Sequence, residues 1–205
     1  MNTPSTYFEQ LYSGSADPWQ LSDRWYEQRK YAHTLAALPQ RRYRSAFEPG
    51  CSVGVLTARL AERCDSLLAT DRVAAAAGLA AARTRELPGV RVEQLAIPEE
   101  WPAGSFELIV LSELLYYFDD PTLRDVLGRT VQALEPGGTL LTVHWNHPVP
   151  EHRRTGRELA PVLSATPGLT LLTDCRDPDF TLHVFGRQDP DGSGPLSPAA
   201  REGMV

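Results

Sequence analysis

The residues best placed to do chemistry lie in Glu48-Pro49-Gly50-Cys51-Ser52-Val53-Gly54, followed downstream by Asp71. The segment joins a short strand-like run, 43–47, to a helical pattern, 55–63. Closely spaced glycines between a strand and a helix let backbone approach a ligand, because no Cβ intervenes. The helix start then offers unpaired N–H groups. Asp71 closes the next apolar run, 66–70, where a carboxylate can accept hydrogen bonds from two ribose hydroxyls. Together these parts describe a pocket for an adenosine-containing ligand. A dinucleotide fingerprint wants G-x-G-x-x-G, its middle glycine making room for a pyrophosphate. Here Ser52 stands where the middle glycine would be, so the pattern is acidic-x-G-x-x-x-G, which disfavours an NAD-type oxidoreductase.

The elements that must position these residues alternate between strand and helix patterns, which argues for a parallel α/β sheet with helices on both faces. A helical pattern over 23–38 carries Trp25, Tyr26, Tyr31, Leu35 and Leu38, and Pro39 closes it. Strands are expected at 43–47, 66–70, 90–95, 106–111, 139–143, 169–175 and 180–185. Helices are expected at 55–63, 73–85, 121–134 and 153–163. The almost unbroken apolar run at 106–111 is that of a strand buried on both faces. The expected organisation is one domain over 1–187 with a helical lid at its N-terminus. A tail from 188 to 205, rich in proline and glycine and without periodicity, is expected to be disordered.

Composition excludes several classes. A formal charge of −6 argues against a nonspecific nucleic-acid binder, which carries a basic surface. Cys51, Cys64 and Cys175 have no metal-ligand spacing and cannot all pair, so no metal centre is expected. The odd thiol count and the lack of an apolar leader segment fit a cytoplasmic protein. No apolar run approaches the roughly 18 residues of a membrane-spanning helix.

Further motifs follow in order: Phe106-Glu107-Leu108-Ile109-Val110, then Glu113-Leu114-Leu115-Tyr116-Tyr117-Phe118, then Leu134-Glu135-Pro136-Gly137-Gly138. With Glu48-x-Gly50-x-x-x-Gly54 these resemble the class I S-adenosylmethionine-dependent methyltransferases. Asp17-Pro18-Trp19, followed by Trp25-Tyr26-Glu27-Gln28-Arg29-Lys30, narrows the likeness to the NodS-type N-methyltransferases, over about residues 7 to 187. The resemblance implies a Rossmann-like seven-stranded sheet, S-adenosyl-L-methionine as cofactor, and a small-molecule acceptor, with an amino sugar or related amine as the expected substrate. O-methylation and a noncatalytic cofactor-binding role remain the alternatives.

On this resemblance Glu48, Gly50, Cys51, Gly54, Asp71, Arg72, Ser112 and Glu113 are cofactor-side residues. Trp19, Trp25 and Tyr26 are expected to form a lid with cation–π attraction to the sulfonium, and Arg29 on the same helix to bind the cofactor carboxylate. The family often has an acidic residue after the third strand; Ala96 stands there, so backbone at Ala96 and Ile97, or Glu93 from another angle, is expected to hold adenine. His144-Trp145-Asn146-His147 leaves the end of the fifth strand, beside the expected donor methyl. Imidazole takes a proton near neutral pH, so His144 and His147 are the expected catalytic residues. His152 and His183 lack such a setting and are expected to be structural.

Overall fold

A computed structural model describes residues 2–189, 191 and 194–205. Among the described residues seven strands form one sheet in the order β3-β2-β1-β4-β5-β7-β6. They are β1 (Tyr43–Pro49), β2 (Cys64–Asp71), β3 (Val90–Gln94), β4 (Phe106–Ser112), β5 (Leu134–Trp145), β6 (Leu169–Arg176) and β7 (Phe180–Arg187). Strands β1 to β5 pair in parallel, whereas β7 runs antiparallel between β5 and β6. The chain order reverses between β1 and β4, which opens a crevice beyond their carboxyl ends, where open α/β sheets bind ligands. The seven-stranded α/β architecture matches the class expected from sequence.

The helices are α1 (Ser5–Gly14), α2 (Trp25–Ala37), α3 (Val55–Leu60), α4 (Ala74–Thr84), α5 (Asp120–Ala133), α6 (Gly156–Ser164) and α7 (Pro198–Arg201). Local chemistry explains several ends. Asp119 caps α5 by accepting from the Thr122 N–H, and Pro121 sits in the first turn, where its missing N–H costs nothing. Thr155 and Glu158 form a reciprocal capping box at α6. Two apolar cores cover the two sheet faces, one centred on Tyr43, Leu67 and Val110, the other on Phe47, Ile109 and Leu111.

Helix α1 has no counterpart in the expected elements. The N-terminal segment is tied across the sheet ends: Thr3 N–H donates to Tyr117 O (3.1 Å) and Thr3 Oγ1 to Glu151 O (2.7 Å). At the other end, Trp25 is 78% exposed and contributes nothing to a lid. Beyond Arg187 the expected absence of structure does not describe the last residues. Pro195 packs against Gly186, and α7 is capped by Ser197, whose hydroxyl accepts from Ala200 N–H. Residues 190, 192 and 193 of that tail lie outside the described residues. Among the described residues no helix is long and apolar enough to cross a membrane.

Candidate functional site

The loop after β1 is built from left-handed backbone: Gly50 (φ 74°), Ser52 (φ 51°) and Gly54 (φ 76°). Positive φ is ordinary for glycine and uncommon for serine, so Ser52 marks a constrained position. The two glycines do different work. A Cβ on Gly50 would meet only the Leu114 side chain at 3.3 Å, whereas one on Gly54 would lie 2.9 Å from the Ala80 backbone. Gly54 therefore lets α3 and α4 approach each other, and it does not line the cavity. Ser52 N–H donates to Asp71 Oδ2 and Val73 N–H to Asp71 Oδ1, both at 2.9 Å. These bonds fix the carboxylate at the tip of β2 while leaving lone pairs open.

A cavity of about 350 Å³ lies over the carboxyl ends of β1, β2, β4 and β5, under α1 and α2. That size is within the range of small-molecule sites. Glu48, Gly50, Cys51, Asp71, Arg72 and Ile97 line one half; Ser112 and Glu113 line the other, with Trp19 and Tyr26 above. Glu48 is 2% exposed, and its Oε2 has no hydrogen-bond partner among the described residues. Burial pushes its carboxyl up to about 8. Burial also raises Asp71, against the two backbone bonds that favour its charged form.

The other half centres on Glu113. Its φ of 52° is strained for a non-glycine residue. Glu113 accepts from Lys30 Nζ (2.5 Å), Tyr116 Oη (2.8 Å) and Trp145 N–H (2.9 Å). Lys30 is 2% exposed and also pairs with Glu27 at 2.9 Å. Burial works against both charges, but the pairing wins: Glu113 is held below the usual carboxylate range and Lys30 above the usual ammonium range. The cavity floor thus carries two carboxylates and one ammonium. Lys30, Glu27, Tyr31 and the α1 aromatics Tyr7, Phe8 and Tyr12 were not among the expected site residues, yet all line the cavity. The spacing of Tyr26, Glu27 and Lys30 carried the signal, since residues three or four apart share a helix face.

Several expected site residues are placed elsewhere. His144 is 1% exposed in the core, and its Nε2 accepts from the Leu115 N–H at 3.1 Å. Burial pushes that imidazole down to about 3, so it is neutral and spent on backbone. His147 stands outside the cavity, with Nε2 2.8 Å from Asp179 Oδ1. Neither fits the role of catalytic base. Arg29 likewise misses the cavity and pairs with Asp177 at 2.6 Å. Ala96 is passed over: its N–H donates to Glu100 Oε2 at 3.0 Å, while its neighbours Leu95 and Ile97 line the wall. His152, expected to be structural, does line the cavity. His183 is 3% exposed, 3.5 Å from Asp174, and remains a core residue.

The geometry has close relatives. The sequence profile of the Nodulation protein S (NodS) family matches residues 10–148. A Nodulation protein S from Rhizobium tropici is 31% identical over 127 residues, covering 61% of this chain and 53% of that protein. A trans-aconitate 2-methyltransferase from Deinococcus radiodurans is 37% identical over 120 residues, covering 58% and 45%. The matched region thus spans about half the length of these curated relatives. The crystal structure of N-methyltransferase NodS from Bradyrhizobium japonicum, bound to S-adenosyl-L-homocysteine, superposes with a TM-score of 0.79 at 27% identity, over 91% of this chain and 99% of that one. The chain belongs to the NodS family and has the class I methyltransferase fold.

Proposed function

We propose that this protein is an S-adenosylmethionine-dependent methyltransferase acting on nitrogen of a small polar amine, an amino sugar being the preferred class. The residues on the β1–β2 side fit the cofactor. Glu48, buried and unpartnered at Oε2, offers a carboxylate to the amino group of the methionine portion. Asp71 offers open lone pairs to the ribose hydroxyls, and Leu95 and Ile97 give an apolar wall for adenine. When bound, S-adenosylmethionine supplies a methyl group on cationic sulfur, which an acceptor nitrogen takes with its lone pair while the carbon–sulfur pair stays on sulfur.

The observation that carries the nitrogen assignment is the charge of the acceptor side. Two carboxylates, Glu27 and Glu113, face one ammonium that is already shared between them. An amine meets favourable charge there, and a carboxylate acceptor, of the kind named for the Deinococcus relative, meets repulsion. The chain's own residues orient the acceptor and exclude water, and proximity of this kind is worth roughly 7–11 kcal/mol of a barrier. The experiment is a methyl-transfer screen over amino sugars, neutral sugars, simple amines and tricarboxylates, read as S-adenosylhomocysteine released. Turnover confined to amines supports the assignment. Turnover confined to carboxylates or hydroxyls overturns it while leaving the methyltransferase reading intact.

A further inference from the structure

His152 lies on the loop between β5 and α6, on the acceptor side of the cavity. Its ring stacks on Tyr116, centroids 3.7 Å apart and planes 16° from parallel, and meets the Tyr117 ring edge-on at 4.9 Å. The loop is fixed from two directions. Arg153 N–H donates to Tyr116 O (2.7 Å), and Glu151 O accepts from Thr3 Oγ1 (2.7 Å). The imidazole is therefore held in one place, yet its Nδ1 is buried with no hydrogen-bond partner among the described residues. Polar groups in such settings normally find partners. Among the described residues that partner is missing, and His152 lines the cavity. Tyr116 cannot serve, because its hydroxyl is committed to Glu113.

Resting on the proposed function, we propose that His152 accepts an N–H of the acceptor amine and so turns the nitrogen lone pair toward the donor methyl. An amine held by one N–H keeps its lone pair free. The groups facing this ring are Glu113 from the end of β4, Tyr116 and Tyr117 after it, Glu151 on its own loop and the neutral His144 on β5. Burial holds His152 below the ordinary imidazole range, against the opposing pull of Glu113 and Glu151. It is thus a neutral acceptor near pH 7, and becomes a cation that repels an ammonium as the pH falls.

The test uses two ligands and needs no acceptor. Sinefungin carries an amine-bearing carbon in place of the methylated sulfur, so it presents N–H groups at the methyl position; S-adenosylhomocysteine has nothing there. Their affinity ratio, measured by calorimetry, isolates that corner, since Glu48 and Asp71 act on both ligands alike. The wild type is expected to prefer sinefungin, and the preference to fade on acidification below the ordinary imidazole range. His152→Phe keeps the stack on Tyr116 and removes the lone pairs. It should lower the ratio by about tenfold, the worth of one hydrogen bond to a charged group, and abolish its pH dependence. An unchanged ratio in His152→Phe, or equal loss of both ligands, overturns the assignment. Should that variant fail to fold, a wild-type ratio independent of pH overturns it instead. Wild type that binds neither ligand refutes the methyltransferase reading itself.

Discussion

The β1–β2 half of the cavity and the β4–β5 half hold their carboxylates by different means. Asp71 is fixed by two backbone N–H groups from residues close to it in the sheet. Glu48 is buried with an oxygen left over. Glu113 is instead held by side chains from a distant helix and the following turn, Lys30 and Tyr116, with one backbone bond from Trp145. The first half is preformed by local backbone, and in the proposed function it takes a cation and a diol. The second is neutralised within the protein and depends on α2 lying in place. The cofactor side should therefore tolerate loss of a side chain at the cost of affinity, whereas the acceptor side should lose stability first.

The largest effect sharpens this contrast. Lys30→Met leaves Glu27 and Glu113 facing each other without a cation, and breaking a buried pair costs about 3–5 kcal/mol. Urea denaturation should show that loss; a midpoint equal to wild type would erase the difference between the halves. Asp71→Ala comes next. It should weaken S-adenosylhomocysteine by roughly tenfold or more, since hydrogen bonds to a charged group contribute about 1.5–3 kcal/mol, with a small change in melting temperature. Calorimetry on the folded variant checks it.

His144→Ala should behave in the opposite way. It orphans the buried Leu115 N–H, a loss of about 1–3 kcal/mol of stability, while ligand affinity stays near wild type. A variant of full stability with impaired turnover would restore His144 to the chemistry.

Glu48 gives a pH test. Its folded pKa, about 8, stands above the unfolded carboxylate value, so the folded state holds the extra proton between those limits. Unliganded stability therefore falls as pH rises from about 5 to 8. Glu48→Gln should remove that slope, and wild-type binding of the cofactor near pH 7 should release a proton, read by calorimetry in buffers of different ionisation enthalpy. Smallest of all is His147→Ala. Its contact with Asp179 is about half exposed on both sides, and such pairs contribute less than about 1 kcal/mol. Neither stability nor sinefungin preference should move measurably.

How much of this was legible follows the same division. Glu48, Gly50 and Asp71 could be found because a strand–turn–helix loop and the tip of the next strand are short-range features. Gly54, expected on the cofactor side, is instead required by the approach of α4, a contact no spacing announces. His144 was misplaced because β5 is buried on both faces, so alternation along the strand gives no clue to direction. His152 sits in an irregular loop, where no period exists to read. Lys30 is buried because Glu113, 83 residues away, comes to meet it, a pairing no local spacing encodes.

The sequence by itself determined the alternation of strands and helices, the loop chemistry after β1 and the acid at the tip of β2, because periodicity, positive φ and turn residues act over a few residues. Only the tertiary structure decided which histidine faces the cavity, that α1 lies over it, and that Lys30 neutralises its floor. Those outcomes depend on which buried polar groups find partners across the sheet, and that pairing is settled when distant segments pack and exclude water.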